Sequence, residues 1–168
     1  MRKIFFAFII FLSATSFTQA QEIIKGMKNN AVFLKGSRAM PQVRFKDGSM
    51  IMMMNGDDGM SFTLIKNGKE TPMFDPSKDY TFGQVSEFDI DADGTMEMLI
   101  GTRKTPSTFE VRIYKKAQFD TDYKLFTTIN GQDHCEFAGD NTVKIYTEDL
   151  KISHLKFKSD GTWVVLEQ

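Results

Sequence analysis

The chain has 168 residues, 41% of them hydrophobic and 26% charged, and its 21 Lys and Arg nearly balance 22 Asp and Glu. A formal net charge of −1 with no basic stripe excludes the electrostatic footprint of a nucleic-acid binder. The one cysteine, Cys135, cannot staple the chain to itself, so stability must come from a core, for which the length suffices in a single domain.

Residues 1–20 read as a secretory signal peptide. Arg2 and Lys3 form a basic start, 4–12 is an unbroken apolar run, and Thr18-Gln19-Ala20 offers a small-residue cleavage site before Gln21. The run is shorter than the ~20 residues of a spanning helix, and no cysteine follows it to carry a lipid. The expected product is secreted or periplasmic, with no stable membrane anchor, and residues 21–168 form one all-β domain.

After a short strand at 31–34, the chain repeats itself over about 38–76, 80–130 and 131–168. Asp47-Gly48-Ser49-Met50, Asp93-Gly94-Thr95-Met96 and Asp140-Asn141-Thr142-Val143 open the same pattern of a turn followed by alternating apolar residues. Upstream stand Pro41-Gln42-Val43, Gly83-Gln84-Val85 and Gly131-Gln132-Asp133. Asn67-Gly68 and Asp160-Gly161 mark hairpins because both pairs accept positive φ at low cost. In the second repeat, Asp120-Thr121-Asp122 takes that place, after a longer loop at 103–108.

Each repeat reads as a four-stranded antiparallel meander. The strands are 42–45, 49–54, 60–66 and 70–74, then 85–88, 96–102, 109–116 and 123–129, then 135–137, 142–146, 152–158 and 162–166. Alternation with β-branched and aromatic enrichment carries this assignment, as in Phe109-Glu110-Val111-Arg112-Ile113-Tyr114. No segment beyond the leader shows helical periodicity.

The chemistry concentrates in residues 89–97. Asp89, Asp91, Asp93 and Glu97 stand at positions 1, 3, 5 and 9 of a loop, with Gly94 at position 6. Alternate oxygens on a tight curl are how a chain wraps Ca²⁺, which takes six to eight oxygen ligands. At the same places the first repeat has Val43, Phe45, Asp47 and Ile51, and the third has Glu136, Ala138, Asp140 and Lys144. A turn therefore needs only the Asp at position 5, and the other three carboxylates are peculiar to the middle repeat. Crowding them is electrostatically costly without a cation at the centre. An EF-hand is excluded, because position 12 is Ile100 and a strand follows at once.

Phe82-Gly83, the Asp89-x-Asp91-x-Asp93-Gly94-x-x-Glu97 loop and Leu99-Ile100-Gly101 together resemble an FG-GAP or VCBS-type repeat, a calcium-loop blade of integrin-α-like β-propellers. The resemblance covers about 80–116 and implies side-chain ligation by Asp89, Asp91, Asp93 and Glu97 and carbonyl ligation by Thr95. The family usually carries Asp where this chain has Glu97, and no Pro follows Gly101. Propellers have about four to eight blades, against three repeats here. The expected fold is thus three blade-like meanders, closing incompletely or as a homodimer that completes a ring. A β-trefoil or β-prism is the alternative, since both also use three four-stranded repeats.

Other chemistries are weaker. The methionines at 50, 52, 53, 54, 96 and 98 could suggest a thioether copper site, but Val143 and Ile145 at matching places favour core packing. His134 and Cys135 are strand neighbours and should point to opposite faces. The phenylalanines of the repeats and Trp163 read as packing residues. Nothing fills a set of catalytic roles. The expected function is an exported, non-catalytic binding module with one structural Ca²⁺, presenting a surface to a protein or glycan partner. An exported hydrolase or inhibitor acting through the loops at 103–108 and 75–80 is the alternative.

Overall fold

The computed structural model of the chain describes residues 22–116, 122–147, 149 and 151–167. The leader with its cleavage site, and Asp120 and Thr121 of the turn expected in the second repeat, lie outside the described residues. Every regular element among the described residues is a strand. The first sheet is β2 (Gln42–Arg44), β3 (Met50–Gly56), β4 (Gly59–Lys66) and β5 (Lys69–Pro72), in that order. The second carries β6 (Phe82–Phe88), β7 (Glu97–Thr105), β8 (Thr108–Lys116) and β9 (Tyr123–Gly131). The third carries β10 (His134–Phe137), β11 (Thr142–Tyr146), β12 (Ile152–Phe157) and β13 (Trp163–Glu167).

Each sheet is an antiparallel meander, and none closes into a barrel, unlike the closed sheet of a trefoil. The second sheet has five strands rather than four. β1 (Asn29–Leu34) pairs antiparallel with β6 from Asn29↔Glu87 to Leu34↔Phe82, covering an edge that would otherwise be open.

The sheets stack in chain order around two cores. Met98 and Ile100 of β7 join Ile51, Met53 and Phe62 of the first sheet, whereas Leu99 joins Val143, Leu155 and Phe157 of the third. With its faces covered from both sides, β7 is buried from Glu97 to Arg103. The segment before β1 locks this stack. Ile23 and Ile24 are fully buried, Cys135 N donates to Ile23 O at 2.7 Å, and buried Gln84 accepts from both isoleucine amides through Oε1. Ile23 packs where Gly101 has no side chain, since a Cβ there would lie 3.3 Å from it.

Turn chemistry sets the registers. Asn67 (φ 52°) and Gly68 (φ 75°) close a two-residue turn between paired Lys66 and Lys69. Asp160-Gly161, expected at the matching place, builds a different turn: a three-residue loop closed by Lys158 N to Thr162 O at 2.8 Å. The same loop joins Phe45 to Ser49 and Ala138 to Thr142, with Gly48, Asn141 or Gly161 at positive φ. The longer loop expected at 103–108 is instead a tight turn at Pro106-Ser107, because β7 and β8 extend to a Thr105↔Thr108 pair. That leaves little loop there to carry an active surface.

Two packing expectations also change. Of the methionines at 50–54 only Met53 is in the core; Met50, Met52 and Met54 lie half-buried on the outer face of the first sheet. Their counterpart Met98 is fully buried because the middle sheet has a neighbour on that side. Trp163 is 45% exposed rather than packed, since β13 is an edge strand.

Gly48 and Gly161 occupy equivalent turns at φ 83°, but a Cβ on Gly48 would meet open space, whereas one on Gly161 would run into the Phe126 carbonyl of the middle sheet. Gly48→Ala should cost about 1 kcal/mol of backbone strain and Gly161→Ala at least twice that, measured by urea unfolding. Equal losses would show that the two turns are not distinguished by this contact.

Candidate metal centre

The acidic loop spans the gap between Phe88 and Glu97, which are the last pair of the β6–β7 ladder. Ile90 pins its middle: the side chain is fully buried in the core shared with the third sheet, and its carbonyl accepts from Asn141 N at 2.7 Å. Ala92 (φ 58°) and Gly94 (φ 85°) then curl the chain back. Asp89 stabilises the curl by accepting from Asp93 N at 3.2 Å and Gly94 N at 2.9 Å.

The curl gathers three carboxylates. Oxygens of Asp89, Asp91 and Glu97 lie within 4.8 Å of one another. Asp93 and Thr95 are exposed, and the Asp93 carboxylate is not one of the three. Asp93 Oδ1 accepts from Thr95 N at 2.6 Å, the bond that Asp47, Asp140 and Asp160 each make to the residue two places on. Position 5 therefore has the same turn-forming role in every copy, while positions 1, 3 and 9 form the cluster.

Glu97 is the most constrained of the three. It is 2% exposed, and Oε2 accepts from Ile90 N at 2.8 Å, tying the loop's centre to the start of β7. Burial pushes its carboxyl up to about 7, opposed by the Ile90 bond and Lys115 and reinforced by Asp91 and Asp93. Asp91 Oδ1 is buried with no hydrogen-bond partner, which is costly for a carboxylate oxygen.

A residue outside the loop completes the site. Lys115 of β8 stands one step beyond the Met98↔Tyr114 pair and so faces Glu97. Its Nζ lies 2.6 Å from Asp91 Oδ2, 3.6 Å from Glu97 Oε1 and 4.7 Å from the centre of the Phe126 ring. Loop spacing does not reveal Lys115, and counting back from the Thr105↔Thr108 pair at the turn would give Lys116; the register shift between Arg103 and Thr105 is what sets Lys115 opposite Glu97. Asp91 and Lys115 also line an open cavity of about 460 Å³, with Phe126 and Phe157 on its wall.

His134 and Cys135 form no such centre. The His134 ring stacks on Tyr146 at 4.2 Å and its Nδ1 lies 2.8 Å from Asp133, while complete burial pushes the Cys135 thiol up, away from the reactive thiolate.

No protein-family model, curated protein or solved structure matches the chain. What can be said of the site therefore rests on its geometry. Its three carboxylates offer oxygen ligands that could hold a metal ion.

Without metal, the raised Glu97 carboxyl stabilises the fold fully below its ordinary value of 4.5, and that contribution is lost as pH rises through about 7. In chelator, the stability should fall by up to about 3 kcal/mol between about pH 5 and pH 8. Glu97→Gln keeps an acceptor for Ile90 N and should flatten that profile in thermal melts. Parallel profiles for the two proteins would assign the titration to another group.

Proposed function

We propose that this protein is an exported, non-catalytic binding module in which the loop at 89–97 takes one structural Ca²⁺. The observation that carries the metal reading is the unpartnered, buried Asp91 Oδ1 beside oxygens of Asp89 and Glu97. Atoms that share a calcium at about 2.3–2.6 Å stand no more than about 5 Å apart, and this cluster meets that limit. The FG-GAP resemblance implies further ligands in the Thr95 carbonyl and the Asp93 carboxylate, the latter reaching the ion only if the outer curl tightens.

A cation there does a structural job. It neutralises Glu97 and Asp91, releases Lys115 toward the adjoining cavity, and fixes the loop that carries Ile90 against the third sheet. Export is supported by the basic-then-apolar leader before Gln21. A binding role for a protein or glycan partner is supported by what the rigid sheets leave exposed, including Leu125 (54%), Trp163 (45%) and Leu166 (51%). Nothing favours the hydrolase alternative at 103–108, where the chain makes a tight turn.

Calorimetric titration of the mature chain tests the metal. One calcium should bind with a dissociation constant between about 1 μM and 1 mM, and Asp91→Ala should abolish the heat. Lys115→Met should bind calcium more tightly and gain more melting temperature from it than the wild type, because the competing ammonium is gone. No binding at millimolar calcium, or an Asp91→Ala protein that binds unchanged, overturns the assignment.

A further inference from the structure

The three stacked sheets end in two uncovered faces of different character. The outer face of the third sheet carries Glu136, Lys144, His154 and Lys156, together with Tyr146, Ile152 and Val164 toward its margins. On the outer face of the first sheet, the central strands present Met50, Met52, Met54 and Ile65 with Ser61 and Thr63, all half-buried. Ring closure between two chains would bury Lys144, Lys156 and His154 against these methionines, which the desolvation cost of the charges disfavours.

The first sheet's outer face complements itself. Register places Arg44, Met50, Ile65 and Glu70 in one row across the four strands, from Arg44↔Met50 through Met50↔Ile65 to Ile65↔Glu70. Val43 and Phe45 on either side of Arg44 are both in the core, so Arg44 faces outward, and Ile65 beside core Leu64 does the same. Arg44 and Glu70 are both exposed, and neither makes an ion pair among the described residues. The row therefore reads cation, apolar, apolar, anion.

We infer that this face docks a second copy of the same chain, sheet against sheet, about a two-fold axis running along the strands between β3 and β4. Such an axis sets β2 of one copy over β5 of the other at the same height. Arg44 of each copy then meets Glu70 of its partner, giving two identical ion pairs on either side of a methionine-lined centre. An isologous contact of this kind is the commonest symmetry of soluble oligomers, and Met is enriched in interfaces because it adapts to its partner. Four strands at about 4.8 Å each give a face smaller than the roughly 800 Å² that each partner of a stable complex buries. A contact of this size is expected to form only at high protein concentration.

Sedimentation equilibrium of the mature chain up to about 1 mM tests this, with circular dichroism confirming that each variant is folded. The wild type should dimerise. Arg44→Glu and Glu70→Arg should each weaken association at least about tenfold, because each sets like charges opposite one another twice. The double swap, Arg44→Glu with Glu70→Arg, should restore it. A wild type that stays monomeric to about 1 mM overturns the inference. So does a dimer indifferent to the single swaps, or one that the double swap fails to restore.

Discussion

A strand covered on both faces has no solvated side on which to place a charge. β7 is such a strand, and it begins with Glu97, 2% exposed. An ionised carboxylate in that position has to be hydrogen-bonded and paired, or else it takes up a proton. The chain does some of each. Ile90 N bonds one oxygen, Lys115 approaches the other, and burial still holds the carboxyl near 7. The loop's shape follows from this arrangement, because the bond to Ile90 pulls the loop inward and brings Asp89 and Asp91 to the same place. The site is thus a consequence of stacking three sheets, with the carboxylates at their inner junction.

The stacking repeats, and the repeat explains why equivalent residues have different fates. Met52, Met98 and Ile145 occupy one position in three copies. Met98 faces the first sheet, Ile145 faces the second, and Met52 has no neighbour to face. Ile51, Glu97 and Lys144 occupy the position beside it. There Ile51 is core, Glu97 is the buried carboxylate and Lys144 is exposed on the last sheet. The junctions differ in the same way. Lys116 of the middle sheet bonds Asp47 in the first sheet's turn, whereas the middle sheet's own acidic loop reaches Asn141 in the third. One architecture therefore supports a hydrophobic contact, an ion pair and a candidate metal centre at corresponding sites.

The strands and their order were legible in the sequence because alternation and turn chemistry are local. Asn67-Gly68 and the recurring Asp-Gly or Asp-Asn turns fixed three meanders, and most strand ends fall within two or three residues of those expected. The acidic loop was legible for the same reason, down to the turn-forming role of Asp93. Contacts between distant segments were not. β1 joins the second sheet through a pairing about fifty residues away in sequence, and the segment before it bonds Cys135 of β10 directly and Gln84 of β6 through the Ile23 and Ile24 amides. Lys115 was hidden because it enters through the third strand of the repeat rather than the loop. The outward methionines and the exposed Trp163 were misassigned because burial depends on which sheets have neighbours, and an alternating strand pattern does not encode that.

The central claim is that a partly protonated Glu97 sits where a divalent cation would bind. Proton release on adding calcium to weakly buffered protein tests it most directly, because the cation must displace whatever proton Glu97 holds. At about pH 6.5 calcium should release most of one proton per chain, and near pH 8.5 almost none, with no release from Glu97→Gln at either pH. Calcium binding at about pH 6.5 with no proton released would mean that the carboxylates are already ionised, and would contradict the account.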